Sequence, residues 1–212
     1  SSSGTTTFCS GDSVILIGGG GTSYLWQPTA TSTSSISATI AGTYTLTATN
    51  SCGNDTATIT ISTVNPPAVN ITSGSSTICL GDSLALNATG GGTYVWSTGE
   101  TTNSIMASNE GSYWVSTSNM CGSDSAFVNI NVDSVMAFFT NDVYSGTSPL
   151  IVNFTNSSSS NASGFFWSFG DGTTSSGTSP TNTFQNPGTY IVTLSVTNGL
   201  GCTDSYSITI IV

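Results

Sequence analysis

The chain contains no lysine, arginine or histidine among its 212 residues, against ten acidic residues and a formal charge of -10. Proteins that bind nucleic acid neutralise its phosphates with Lys or Arg, so we expect no nucleic-acid partner. Basic clusters that attract anionic membrane surfaces are missing for the same reason. Without histidine, neither a Ser-His-Asp or Cys-His catalytic site nor a His-containing metal site can form.

The chain also has no long apolar segment and no helical periodicity. No apolar run reaches the roughly 18 residues of a membrane-spanning helix, so we expect no direct insertion into a membrane. Apolar residues instead alternate with Thr, as at Tyr44, Leu46 and Ala48. Alternation with period two is typical of half-buried antiparallel strands. We therefore predict an all-β fold with no significant helix.

One sequence skeleton occurs twice, 70 positions apart at its start: Cys-x-Gly-Asp-Ser, then Tyr-x-Trp, Gly-x-Tyr and Cys-Gly. A third, partial copy keeps the Trp, the Gly-x-Tyr and a final Gly-Cys. Self-similarity at a fixed spacing indicates an array of like modules. We predict three tandem Ig-like β-sandwich domains, namely repeat 1 (1–65), repeat 2 (66–132) and repeat 3 (133–212). Asn65-Pro66-Pro67 should form a stiff joint between the first two.

Repeat 3 contains a long motif with a Trp, a Gly-Asp-Gly turn and a Pro-Gly-x-Tyr. In order, its parts are Trp167-Ser168-Phe169-Gly170-Asp171-Gly172, Ser179-Pro180, Thr183-Phe184, Pro187-Gly188-Thr189-Tyr190 and Val192-Thr193-Leu194. The motif is similar to that of polycystic-kidney-disease (PKD) domains, and the likeness covers most of the repeat. The resemblance implies that the last domain is a PKD-like sandwich.

Repeats 1 and 2 resemble the Ig-like repeats of giant surface adhesins that gliding bacteria export by type IX secretion. The likeness rests on the Cys-x-Gly-Asp-Ser, Tyr-x-Trp and Gly-x-Tyr skeleton. It implies a non-enzymatic stalk or spacer in a long filament at the cell surface. The partners it implies are other modules of the same chain, with surface glycans or proteins as further candidates. The alternative is a spacer or carbohydrate-binding appendage of a secreted polysaccharide-degrading enzyme, where PKD domains also occur.

The chain has five cysteines. Aligning the repeats predicts the disulfides Cys9–Cys52 and Cys79–Cys121, and each loop of roughly 43 residues would contribute about 4 kcal/mol. A metal site made only of cysteines would need closely spaced Cys-x-x-Cys pairs, and the sequence has none. Cys202 is then left over, either as a buried free thiol or as a link to another chain. Disulfides indicate an oxidising, extracellular location.

Three tryptophans, Trp26, Trp96 and Trp167, occupy equivalent positions, where an Ig sandwich buries its core Trp. Trp114 differs, because it alternates out of phase with the apolar residues on either side of it. We predict that Trp114 faces outward and that, with Phe127 opposite, it forms the contact surface of repeat 2.

The acidic residues indicate a candidate calcium site and no catalytic site. Asp171, between two glycines, and Asp142 are the candidate ligands for calcium, the one cofactor we consider. An Asp-Gly turn in which the side chain bonds its own backbone is the alternative. Glu100 and Glu110 are the only glutamates, and a small sandwich supplies no evident cleft to hold a pair of catalytic carboxylates. We therefore predict no catalytic residues.

Five Asp residues are followed by Ser or Thr and then by a small or aliphatic residue. This pattern resembles the O-glycosylation motif of the bacteria named above, and ordinary turn chemistry at strand starts is the alternative. The candidate acceptors are Ser13, Thr56, Ser83, Ser125 and Ser134.

Overall fold

A computed structural model of the chain describes residues 6–212. Within that range every regular element is a β-strand, and no helix has the length and apolarity to cross a membrane. The chain forms two compact units. Unit 1 comprises Ser1–Ser73, Ala85–Ile105 and Ser112–Val128, and unit 2 comprises Gly74–Leu84, Met106–Gly111 and Asn129–Val212. Repeat 2 is therefore divided between the two, and the predicted domain boundaries stay a prediction.

Twenty strands run through the described residues. In chain order they are β1 (Thr7–Cys9), β2 (Val14–Ile17), β3 (Ser23–Gln27), β4 (Ser35–Ala38), β5 (Gly42–Asn50), β6 (Gly53–Val64), β7 (Asn70–Ser73), β8 (Thr77–Cys79), β9 (Leu84–Thr89), β10 (Tyr94–Trp96), β11 (Ser104–Ala107), β12 (Gly111–Asn119), β13 (Gly122–Asp133), β14 (Phe139–Asn141), β15 (Leu150–Asn156), β16 (Ala162–Ser168), β17 (Thr174–Ser175), β18 (Thr181–Phe184), β19 (Thr189–Asn198) and β20 (Thr203–Ile211).

In unit 1, repeat 1 is a two-sheet sandwich. One sheet has the order β1-β6-β5-β3 and the other consists of β2 and β4. Alternation along the strands sends Leu16, Trp26 and Ile61 into the shared core. The Trp26 indole N–H donates to the carbonyl of Thr33 at 3.0 Å, so the buried ring keeps a hydrogen-bond partner.

The part of repeat 2 in unit 1 follows the same plan. β7 pairs antiparallel with β9, and β10 pairs antiparallel with β12. Trp96 is buried, and its indole N–H donates to Thr102 O at 2.8 Å. This bond matches the one that Trp26 makes in repeat 1, which confirms that these two tryptophans are core residues.

In unit 2, repeat 3 is a larger sandwich with the sheets β14-β15-β18 and β17-β16-β19-β20. Trp167 is fully buried at its centre. Its ring lies 4.8 Å from Phe139 and 5.5 Å from Phe154, between centroids, and its indole N–H donates to Gly177 O at 2.9 Å. The predicted burial of the third tryptophan is confirmed.

Two short strands that were not predicted pair in parallel with a long strand. β1 pairs in parallel with the end of β6, placing Cys9 opposite Val64. In unit 2, β8 pairs in parallel with the end of β13, placing Cys79 opposite Asp133. The all-β, Ig-like fold is confirmed, and these two parallel pairings are its main departure from the expected antiparallel strands.

Replacing Trp167 by alanine should destabilise repeat 3 by about 3–5 kcal/mol, because the change empties the middle of an aromatic core. The neighbouring Phe166 is 53% exposed, so Phe166→Ala should cost less than about 1 kcal/mol. Denaturant unfolding followed by hydrogen exchange in β19 measures both values. Equal costs for the two variants would contradict the assigned core.

Candidate functional site

The cysteines join different repeats. Cys9 is bonded to Cys121 and Cys79 to Cys202, with Cα–Cα distances of 5.3 and 5.4 Å. The predicted pairing inside each repeat is therefore wrong. The predicted free thiol is also wrong, because Cys202 is buried in a disulfide and the free cysteine is Cys52, which is exposed.

Strand geometry explains the error. Cys52 immediately precedes β6, whereas Cys9 lies opposite Val64, the last residue of that strand. At about 3.4 Å per residue the two positions are roughly 40 Å apart. A disulfide requires Cα atoms within about 7 Å. Cys79 repeats this relation, since its register partner Asp133 ends β13.

The junction between repeats 1 and 2 lies within unit 1 and has two polar contacts beside the Cys9–Cys121 bond. The Asn119 side-chain amide donates to the carbonyl of Asn65, just after the end of β6, at 2.8 Å. The backbone N–H of Val69, in the linker, donates to Asp124 Oδ2 at 2.8 Å. Asn119, Cys121 and Asp124 lie on one hairpin of repeat 2. Together they bond to the linker of repeat 1 and to its exit, by which we mean the end of the repeat where β6 leads into the linker.

The linker also passes very close to a glycine. A Cβ added to Gly90 would lie 1.9 Å from the carbonyl oxygen of Ala68, and the backbone of Gly90 has φ +89°. Both the contact and the left-handed conformation require glycine. Gly90 therefore forms part of the surface on which the linker lies.

The junction between repeats 2 and 3 lies within unit 2 and repeats the pattern. The Asn198 side-chain amide donates to Asp133 Oδ2 at 2.7 Å. The backbone N–H of Ala137 donates to Asp204 Oδ2 at 2.8 Å. Cys202 lies between Asn198 and Asp204 in sequence and forms the disulfide with Cys79. We call Asn119, Cys121 and Asp124, and likewise Asn198, Cys202 and Asp204, junction triads.

Asp171 lies in a turn with its own hydrogen-bond network. Its carboxylate accepts from the Thr173 backbone N–H at 2.9 Å, from the Thr173 hydroxyl and from the Asn182 amide at 2.8 Å. Partial burial raises the pKa of Asp171, but these donors outweigh it and lower the pKa below its ordinary value. Gly170 has φ +79°, and a Cβ there would lie 2.7 Å from Ile191 O.

The repeat that contains this turn matches a known protein family. Residues 134–212 match the PKD domain. Repeat 3 belongs to the PKD domain family. The PKD1 domain of Vibrio cholerae metalloprotease PrtV is 36% identical, covering 38% of this chain and 98% of that domain, with a TM-score of 0.34. The PKD1 domain of Vibrio anguillarum Epp is 29% identical, covering 38% and 94%, with a TM-score of 0.34.

The whole chain is also similar to multi-domain structures. Three N-terminal domains of the bacteriophage RB49 outer capsid protein Hoc are 16% identical, covering 96% of this chain and 93% of that one, with a TM-score of 0.48. No curated protein matches the chain. PKD and Ig-like domains are in general non-catalytic modules, and they and disulfide bonds are typical of extracellular proteins.

In the PKD domain, the two aspartates predicted as calcium ligands have protein partners. Asp142 accepts from the backbone N–H of Asn153 at 2.9 Å and from its amide at 2.7 Å, and these bonds lower the pKa of Asp142. Across residues 6–212, no three His, Cys, Asp or Glu side chains gather into a metal-binding group. Hydrogen bonds account for the lowered pKa of both carboxyl groups. Calcium binding stays a prediction.

The five candidate glycosylation residues are all exposed: Ser13, Thr56, Ser83, Ser125 and Ser134. At two of them the preceding aspartate accepts the backbone N–H of the acceptor residue, at 2.8 Å for Thr56 and 2.9 Å for Ser134. In both cases the bond engages the backbone of the acceptor residue and not its side-chain hydroxyl group. Modification of these residues stays a prediction.

Trp114 and Phe127 lie on the outside of repeat 2, as predicted. Trp114 is 37% exposed, whereas Tyr113 and Val115 beside it are buried. Phe127 is 67% exposed. Their equivalents in repeat 1, Thr45 and Thr58, are register partners across β5 and β6. The two aromatic side chains therefore belong to one outer sheet face, and their use as a contact surface stays a prediction.

Alkylation of the native, non-reduced protein should modify one thiol, at Cys52, because the other four cysteines are oxidised. Cys52→Ser should abolish the labelling and leave stability unchanged. Cys9→Ser paired with Cys121→Ser should instead cost about 5 kcal/mol, from opening a loop of 112 residues. Mass spectrometry locates the label. Labelling at Cys202 in place of Cys52 would refute the assignment.

Acid should remove the contribution of Asp171 to the stability of the PKD domain. A carboxyl whose folded pKa is lowered stabilises the fold above its unfolded value of about 3.8, and that stability is lost as the pH falls through the folded pKa. Asp171→Asn should therefore destabilise the domain by on the order of 1 kcal/mol at pH 7 and by much less near pH 2.

Asn182→Ala is the matched variant, because it removes a donor and keeps the carboxyl group. It should shift the acid transition of the domain toward higher pH. Denaturant unfolding between pH 2 and 7 measures both variants, and an Asp171→Asn cost that does not change with pH would contradict the hydrogen-bond account.

Proposed function

We propose that the chain is a non-enzymatic segment of a long secreted filament or adhesin at the cell surface, in which the repeats act as stalk or spacer modules. The observation that carries the proposal is the pair of junctions. Each one joins consecutive repeats by a disulfide in addition to the main chain, with an Asn and an Asp bonded to the exit and linker of the preceding repeat.

A second covalent connection suits a chain that transmits tension. If one repeat unfolds locally, the disulfide still holds its neighbour, and the closed loop limits how far the segment can extend. An isolated binding domain has no need of such connections between repeats. The absence of basic residues fits the same role, because a charge of -10 keeps neighbouring filaments apart at low ionic strength.

We place adhesive contacts on the outer face that carries Trp114 and Phe127. Aromatic side chains on a flat sheet face suit sugar rings or the surface of another protein. The other partners are modules of the same chain.

A surface-display experiment tests the spacer role. The chain is placed between a membrane anchor and a streptavidin tip on a bacterium, and capture of biotin-coated beads is measured under flow. Capture should require the tip, and replacing the four disulfide cysteines by serine should reduce bead retention at high shear. Equal retention at all shear rates would contradict a mechanical role for the junctions.

A polysaccharide sedimentation assay separates the spacer from an enzyme appendage. The chain is mixed with insoluble cellulose, chitin or starch, and should stay in the supernatant. Sedimentation that Trp114→Ala abolishes and Phe166→Ala leaves intact would overturn the spacer proposal in favour of a carbohydrate-binding appendage.

A further inference from the structure

Repeat 1 has the same junction residues as repeat 2. Within residues 6–212, however, these residues bond to no preceding repeat. Asn50, Cys52 and Asp55 align with the junction triad Asn119, Cys121 and Asp124, and Gly20 aligns with Gly90. We call Gly20, Asn50, Cys52 and Asp55 the repeat 1 socket. Because both described triads fasten the preceding repeat, an unfilled third triad points to a missing partner.

Among residues 6–212, each socket residue lacks the partner that its equivalent has. Cys52 is a free, exposed thiol. The Asn50 amide donates to Gly20 O at 3.2 Å, where the Asn119 amide donates to the exit of the preceding repeat. Asp55 accepts the N–H of its neighbour Thr56, where Asp124 accepts a linker N–H.

No described residue fills the space that a linker would occupy. A Cβ on Gly20 would meet no described atom within 4 Å, whereas the same test at Gly90 meets the linker carbonyl of Ala68. A groove of about 290 Å³ lies here, lined by Gly19, Gly20, Asn50, Cys52 and Asp55 among others. The backbone conformation of Gly20, at φ +87°, is already that of Gly90.

The hairpin that carries the thiol has the conformation of the bonded hairpins. The Cys52 N–H donates to Asn50 Oδ1 at 2.8 Å. The same bond is 2.7 Å between Cys121 and Asn119 and 3.0 Å between Cys202 and Asn198. Cys52 is thus held as its two disulfide-bonded equivalents are held, with no partner yet attached.

We propose that the repeat 1 socket binds a further repeat of this kind, joined ahead of repeat 1, through a disulfide between Cys52 and the cysteine of that repeat's Cys-x-Gly-Asp segment. The exit of the bound repeat supplies a carbonyl to Asn50, and its linker supplies an N–H to Asp55 and lies over Gly20. The inference holds whether the filament serves as an adhesin stalk or in another extracellular role.

The bond forms by ordinary thiol–disulfide exchange. The two thiols lose two protons and two electrons, and a small-molecule disulfide such as oxidised glutathione accepts them and becomes two thiols. A Cys52–Cys52 link between two copies is the competing outcome. The internal precedents argue against it, because in both described junctions the residue equivalent to Cys52 bonds to a cysteine of the Cys-x-Gly-Asp type.

A tandem variant tests the proposal. A second copy of residues 1–70 is placed ahead of Ser1, so that the linker Asn65–Asn70 of the added copy enters the socket as the natural linker enters repeat 2. The protein is folded in a glutathione redox buffer, and free thiols are counted by alkylation and mass spectrometry. Of seven cysteines, one should stay free, namely the Cys52 of the added copy.

Peptide mapping without reduction should find the added Cys9 bonded to the original Cys52. Chymotrypsin serves for the digestion, because the chain has no Lys or Arg for trypsin. Cys9→Ser in the added copy is the matched control and should leave two free thiols. Asn50→Ala with Asp55→Ala in the original repeat 1 should slow formation of the bond several-fold.

Three free thiols in a tandem whose added copy is folded by hydrogen exchange would overturn the proposal, as would dimers of the 212-residue chain linked through Cys52. If the added copy does not fold, the test is repeated with a copy of repeat 2 joined through the same linker. Equal bead retention with and without the disulfide cysteines, together with the thiol count expected here, would contradict the spacer function alone and leave the socket proposal intact.

Discussion

The parallel pairing of a three-residue strand with the end of a twelve-residue strand determines how this chain is connected. Backbone hydrogen bonds hold Cys9 beside Val64, at the end of repeat 1 that leads into repeat 2. The hairpin cysteine of the same repeat lies at the opposite end of β6. Repeats 1 and 2 therefore each have one cysteine at the exit and one at the opposite end, and repeat 3 has only Cys202, so both bonds form between consecutive repeats.

That arrangement makes the repeat boundary a structural unit in its own right. An exit cysteine, an Asn that bonds the end of one repeat and an Asp that bonds its linker occur together at both described junctions. The stabilisation that a small sandwich with a thin core needs comes from its neighbour as well as from its own interior. Each junction therefore adds one covalent bond and two hydrogen bonds to the main chain that connects consecutive repeats.

The sequence was sufficient for the fold and insufficient for the pairing of the cysteines. Alternation at Tyr44, Leu46 and Ala48 and the recurrent Trp are strong local signals, and the structure confirms the strands and the core that they predict. Thr7–Cys9 is too short to show alternation, so its parallel partner could not be inferred. The socket depends on that same pairing. Asn119 and Asp124 had no recognisable signal beyond their recurrence in each repeat.

Extension of single molecules tests the cross-repeat linkage most directly. With both bonds intact, the shortest covalent path runs from Ser1 to Cys9, back from Cys121 to Cys79, and from Cys202 to Val212, about 60 residues. The fully unfolded, non-reduced chain should therefore extend to about 22 nm. Bonds inside repeats 1 and 2 would leave about 126 residues free and give about 45 nm, and that longer extension would contradict the account.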